Sequence, residues 1–146
     1  EPEGTIDTWI EENERTMTMF ISKEGEGKRA ITHYKVLETK IIGGVPYSLM
    51  QFELETGRKN QIRVHMKHIG HPIAGDGKYG AITDPIGRLA LHAQQIEFEH
   101  PRTGEILEFT SNIPREFTDF FGNSKAKKSE NTQQREGKPR RQRYKY

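Results

Sequence analysis

The chain has 146 residues, 23 Lys or Arg against 21 Asp or Glu, no cysteine, 32% hydrophobic residues and a mean hydropathy of -0.90. That length suits about one domain with a modest core. The lack of cysteine excludes disulfide frameworks, thiolate catalysis and cysteine-ligated zinc, and no stretch reads as a signal peptide or a membrane-crossing apolar run, so a soluble, cytoplasmic protein is expected.

The formal net charge of +2 conceals an asymmetry. Residues 123–146 hold nine Lys or Arg against two Glu, so the rest of the chain is acidic. Within that acidic body, the window from Arg58 to His92 carries six Lys or Arg against Asp76 and Asp84. Positive charge in one folded window and one tail points to a phosphate-rich partner, because neutralising phosphates releases counterions.

In chain order, Thr5–Ile10 and Met17–Ile21 read as strands, followed by a loop at Gly25–Lys28. Ile31–Leu37 and Tyr47–Leu54 are rich in strand formers, and Gly43-Gly44 between them predicts a hairpin. After Leu54 the periodicity changes from two to about 3.6. Ile62, Met66 and Ile69 then form an apolar stripe, Lys59, Arg63 and Lys67 a basic one, and Gly70 stops the helix. The turn Thr56-Gly57-Arg58 leads into that helix and offers N–H groups at its positive end, a candidate phosphate seat. Ile96 and Phe98, the turn His100–Gly104, and Glu105–Phe109 predict a second hairpin with a solvated acidic face. A helix from Pro114 through Phe117, Phe120 and Phe121 should end at Gly122. From Asn123 onward the basic tail lacks aliphatic residues beyond Ala126 and reads as disordered, either a solubilising extension or an arm that grips nucleic acid. The domain division is thus 1–122 and 123–146, and the fold class is α+β, a largely antiparallel or mixed sheet with a few flanking helices.

Other candidates carry less. His65, His68 and His71 resemble a metal set, but a helix breaker precedes His71 and no carboxylate accompanies them, so no metal site is expected. Gly75–Gly80 is dense in glycine yet lacks the Walker spacing, and reads as a turn. His92, in Leu89–Ala93, reads as a hydrogen-bonded histidine of a buried strand. Asp76 either orients a neighbouring cation or caps the turn after Gly75.

The ordered series Thr56-Gly-Arg-Lys-Asn-Gln-Ile-Arg-Val-His65, Ile69-Gly-His-Pro-Ile-Ala-Gly-Asp76, Tyr79-Gly80, Arg88-Leu-Ala-Leu-His-Ala93, Phe98, His100-Pro-Arg-Thr-Gly-Glu105 and Pro114 resembles the C-terminal half of the RluA-type RNA pseudouridine synthases. The resemblance spans about residues 28 to 117, with Ala30–Tyr34 and the Tyr47 strand also fitting. Asn60 departs from it, standing where the family often has His. The resemblance implies conversion of uridine to pseudouridine in ribosomal or transfer RNA without metal or cofactor. It also implies a catalytic aspartate in an upstream Arg-Leu-Asp motif and a tyrosine in a second motif. Neither motif occurs in this sequence, so the chain is expected to be a fragment, inactive alone.

Mapped by the resemblance, Arg63 pairs with that absent aspartate, a role suited to a cation that stays charged at any relevant pH. Arg58 and the helix start hold RNA phosphate beside Lys59, with Gln61 as a polar orienter. Lys67, Lys78 and Arg88 are outer phosphate contacts on charge alone. A basic, aromatic-edged cleft would hold the flipped nucleotide. The rival reading is a non-catalytic RNA-binding module on the same scaffold.

Overall fold

The computed structural model describes residues 2–122 and 143–146. Its elements are β1 (Glu3–Asn13), β2 (Thr18–Ser22), β3 (Lys28–Ile42), β4 (Val45–Leu54), α1 (Gln61–His68), a 3-10 turn (Gly77–Tyr79), β5 (Gln95–Glu99), β6 (Ile106–Thr110), α2 (Arg115–Phe121) and β7 (Arg143–Lys145). Among the described residues the fold is α+β, a mostly antiparallel sheet with two helices. Two units divide the chain, one of residues 5–33 and 54–91, the other of residues 1–4, 34–53 and 92–146. Strands β1, β3 and β4 contribute residues to both.

The first unit carries strands in the order β2-β1-β3. β1 and β2 pair antiparallel, with Trp9 opposite Ser22 and Asn13 opposite Thr18. Side chains alternate across a strand, so Ile6, Thr8 and Ile10 share a face. Ile10, Ala30, Val64 and Tyr79 form the core there, with Met19 and Ile21 packed against it. Eight residues are too few for a helix to persist alone. α1 is therefore held by burial of Gln61, Ile62, Val64, His65 and Met66, a wider arc than the expected stripe, in which Ile69 is half-buried. It stops as expected at Gly70, which takes φ 83°. There Gly70 N–H bonds Lys67 O at 3.0 Å and His71 N–H bonds Met66 O at 2.9 Å, so the last carbonyls are satisfied.

The second unit orders its strands β3-β4-β7-β5-β6. Gly43 and Gly44 both take positive φ, 59° and 78°, as a two-residue hairpin turn requires, and join β3 to β4. β5 and β6 pair antiparallel with Phe98 opposite Leu107 and Glu97 opposite Glu108. Phe98 and Phe109 stack diagonally at 5.9 Å between centroids. α2 runs from Arg115 and ends at Gly122 in the left-handed conformation, while Phe120 meets Tyr47 edge-on at 5.0 Å.

Three expectations differ from the structure. Residues 123–142 of the tail lie outside the described residues, but Arg143–Lys145 form β7, which pairs antiparallel with β5. Tyr146 beyond it exchanges two backbone hydrogen bonds with Phe52, at 3.0 and 3.1 Å. Backbone pairing needs no aliphatic side chain, which is why composition did not signal this strand. Leu89–Ala93 is no strand: β5 begins at Gln95, and Ala90 N–H instead bonds Ala74 O at 2.9 Å. His92 Nε2 is buried without a hydrogen-bond partner among the described residues, contrary to the expected hydrogen-bonded histidine.

Candidate active-site cluster around Arg63

Arg63 projects from the middle of α1 and is gripped on one edge by Asp76. Nε donates to Asp76 Oδ2 at 2.9 Å and Nη2 to Oδ1 at 2.7 Å, a two-pronged pair with the carboxylate fully buried and the arginine side chain 21% exposed. The guanidinium lies over the Tyr79 ring, 4.9 Å from its centroid. Nη1 points toward Asn60 Oδ1, 3.5 Å away. Asn60 Nδ2 in turn donates to the Tyr79 hydroxyl at 3.2 Å. The hydrogen bond from Arg63 to Asp76 raises the arginine's pKa above its ordinary value, so this group stays a cation.

The loop that supplies Asp76 is fixed by its own backbone. Asp76 sits at the start of the 3-10 turn, but its side chain makes no capping bond. Of the two roles left open by the sequence, orienting a cation is the one its geometry takes. Its carbonyl accepts from Tyr79 N–H at 3.1 Å and Ala81 N–H at 3.0 Å. Gly75 before it adopts φ 80° and donates to Thr83 O at 2.8 Å, and a Cβ there would run into the carbonyl of Arg88. Only glycine fits both the angle and the approach.

A chain of buried polar bonds runs from Thr56 through Gln61, Thr32 and His65 to Thr8. The Gln61 amide donates to Ile31 O and to Thr32 Oγ1, both at 2.9 Å. Its Oε1 accepts from Thr56 Oγ1 at 2.7 Å and from Arg58 N–H at 3.1 Å. Thr32 Oγ1 also shares a hydrogen bond with His65 Nδ1, 2.7 Å away. His65 Nε2 shares a second hydrogen bond with Thr8 Oγ1 at 2.8 Å, so each ring nitrogen has a hydroxyl partner. Burial pushes the His65 pKa down to about 4, with the His68 charge adding to the shift and Asp7 opposing it.

The remaining expected contacts are scattered around this cluster. Gln61 is 2% exposed with its amide fully engaged inside, so its expected role as an RNA contact gives way to an internal one, shaping the turn into α1. The Arg58 N–H is held by Gln61, which leaves the side chain, exposed with Nε on Arg29 O at 3.1 Å, as that position's surface group. Lys59 pairs with Glu12 at 3.1 Å. Lys78 Nζ donates to Met17 O at 3.1 Å. Lys67 and Arg88 are exposed. The role of Tyr79 went unread in the sequence, where its place in a glycine-dense turn gave no sign of burial. It is 1% exposed and its hydroxyl also accepts Met19 N–H at 2.9 Å.

A family model described as RNA pseudouridylate synthase matches residues 1–68. An uncharacterized RNA pseudouridine synthase of Bacillus subtilis, YlyB, is 42% identical over 123 residues, covering 83% of this chain and 39% of that protein. The ribosomal large subunit pseudouridine synthase D of Haemophilus influenzae is 34% identical over 137 residues, covering 84% of this chain and 41% of that protein. Among solved structures, human RNA pseudouridylate synthase domain containing 1 superposes with a TM-score of 0.65 at 33% identity, over 78% of this chain and 49% of that one. The chain therefore spans about two fifths of the length of these curated relatives.

Proposed function

We propose, since this chain belongs to the RNA pseudouridine synthase family, that the protein carrying it isomerises uridine to pseudouridine in ribosomal or transfer RNA, in the cytoplasm. In that reaction the bond from C1′ to N1 breaks, C1′ rejoins the ring at C5, the C5 proton leaves and N1 gains one. No metal or cofactor is required. Arg63 provides the fixed cation that keeps a reacting carboxylate, supplied by another part of the protein, ionised next to the flipped base. The observation that carries this reading is the clamped guanidinium. Asp76 and Tyr79 hold one edge and one face, so the remaining N–H groups have a set direction. Arg58, Lys59, Lys67, Lys78 and Arg88 contact RNA phosphates around it. Relatives named for the large ribosomal subunit support ribosomal RNA as the substrate. The segment alone is expected to be inactive.

The test is Arg63→Ala in the full-length protein, with pseudouridine mapped in cellular RNA from a deletion strain complemented by each form. Loss of the modification with RNA binding largely retained is the expected result. Unchanged modification would sink the assignment of Arg63, and a deletion that removes no pseudouridine would sink the activity.

A further inference from the structure

Met17 takes φ 56°, and the only other non-glycine residue with positive φ among the described residues is Asn60. Asparagine tolerates that region; an unbranched apolar side chain is strained there, and it is the turn closed by Met17 N–H on Asn13 O, not a side-chain preference, that puts it there. Nor does burial explain it, because Met17 is 52% exposed at the tip of the β1–β2 hairpin. The tip is nevertheless built rigidly. Asn13 Oδ1 accepts the N–H groups of Arg15 and Thr16 at 3.0 and 3.3 Å, Met17 N–H bonds Asn13 O at 2.8 Å, and the Thr16 and Thr18 hydroxyls meet at 2.6 Å.

Three ties fasten this hairpin to the residues around Arg63. Lys78 Nζ donates to Met17 O, Lys59 pairs with Glu12, and Met19 N–H bonds the hydroxyl of Tyr79, whose ring carries the Arg63 guanidinium. The result is an exposed apolar side chain two positions after Arg15, with Lys78 on its own carbonyl and Phe20 on the same hairpin 42% exposed. Glu12 offsets Lys59, and Glu14 at the tip opposes an anionic partner.

We propose that this hairpin tip is an RNA wedge. Met17 fills the stack vacated when a uridine is turned out toward Arg63, and Arg15 and Lys78 meet the flanking phosphates. The inference rests on the RNA reading above and extends it from Lys78, named there, to Met17 and Arg15 of the hairpin tip. Turning a base out of its stack loses stacking energy, and apolar side chains, methionine among them, serve to offset that loss. The thioether side chain adapts to any base it meets, so the wedge would be indifferent to the neighbouring sequence. Its strained, tied backbone would hold it in place before RNA arrives.

The experiment uses the full-length protein and an RNA stem-loop with loop uridines, one of them beside 2-aminopurine. Met17→Gly removes the side chain while glycine adopts the same φ, so thermal stability should hold or rise. The fluorescence rise that reports unstacking should fall at least about fivefold, with affinity changing less than about threefold. Arg15→Gln and Lys78→Gln should each weaken binding and lower the salt slope by about one, while Glu14→Gln should tighten it. A Met17→Gly protein with an undiminished fluorescence rise overturns the wedge. Unchanged salt slopes in both cation variants overturn the phosphate contacts. Failure of the unsubstituted protein to bind the stem-loop defeats the RNA reading itself, and this inference with it.

Discussion

His65 offers the most direct test of the buried network, because its electrostatics translate into a pH dependence of stability. Its side chain is 0% exposed between two threonine hydroxyls, and its pKa falls from 6.5 to about 4. The unfolded chain therefore takes up a proton on this imidazole before the folded chain does. The stabilisation is fully present above about pH 6.5, shrinks as pH falls toward 4, and is constant below that. At about 1.4 kcal/mol per pH unit the whole effect is about 3 kcal/mol, of which roughly 2.5 is lost by about pH 4.5. Carboxylates titrate in the same range, so the measurement is a difference. Urea unfolding is followed at about pH 7.5 and about pH 4.5 for the unsubstituted protein and for His65→Gln, whose amide keeps one donor and one acceptor but does not titrate. The unsubstituted protein should lose more stability between the two pH values, by roughly 2 to 3 kcal/mol. Equal losses to within about 0.5 kcal/mol, or an imidazole resonance of His65 titrating near its ordinary value, would refute the argument.

Two further expectations concern the loop that presents Asp76. Asp76→Asn leaves the Arg63 cation against a neutral amide, and because Arg63 is partly exposed the cost should be about 2 to 4 kcal/mol, somewhat below that of a fully buried pair. Thermal melts read it, and a change under about 1 kcal/mol would show that solvent satisfies Arg63 unaided. Gly75→Ala should cost more than about 2 kcal/mol, since it combines positive φ with collision against the Arg88 carbonyl, whereas Gly43→Ala, with open space around it, should cost only about 1. Equal losses in the two melting curves would show that the Arg88 approach is not tight in solution.

Much of the local structure was legible because local chemistry decides it. Gly43-Gly44 carries the positive φ that a two-residue hairpin turn needs, and Gly70 and Gly122 end their helices for the same reason. The β5–β6 hairpin followed from period-two alternation and the His100–Gly104 turn, its second strand running one residue later than read. The segment at Leu89–Ala93 was misread because an apolar run looks alike in a strand and in a loop packed against another loop. Asp76 was recognised as the notable acid, yet its two roles could not be separated, since a side chain beginning a turn and one reaching a helix share the same local sequence.

The identity and order of the residues thus determined which groups this chain carries: a helix with an arginine at its centre, a basic window in an acidic body, and glycines where the backbone must turn back. Tertiary structure decided what those groups face. Asn60, Arg63, Asp76 and Tyr79 form one cluster only because the 3-10 turn folds onto α1, and Tyr79 reaches Met19 across 60 positions of sequence. Gln61, expected as a polar orienter beside the phosphate seat, turned inward because β3 presents the Ile31 carbonyl and the Thr32 hydroxyl to it. The physical reason is common to these cases. Turn and helix signals act over a few residues, whereas the partner of a charge or an amide depends on which distant backbone closes over it.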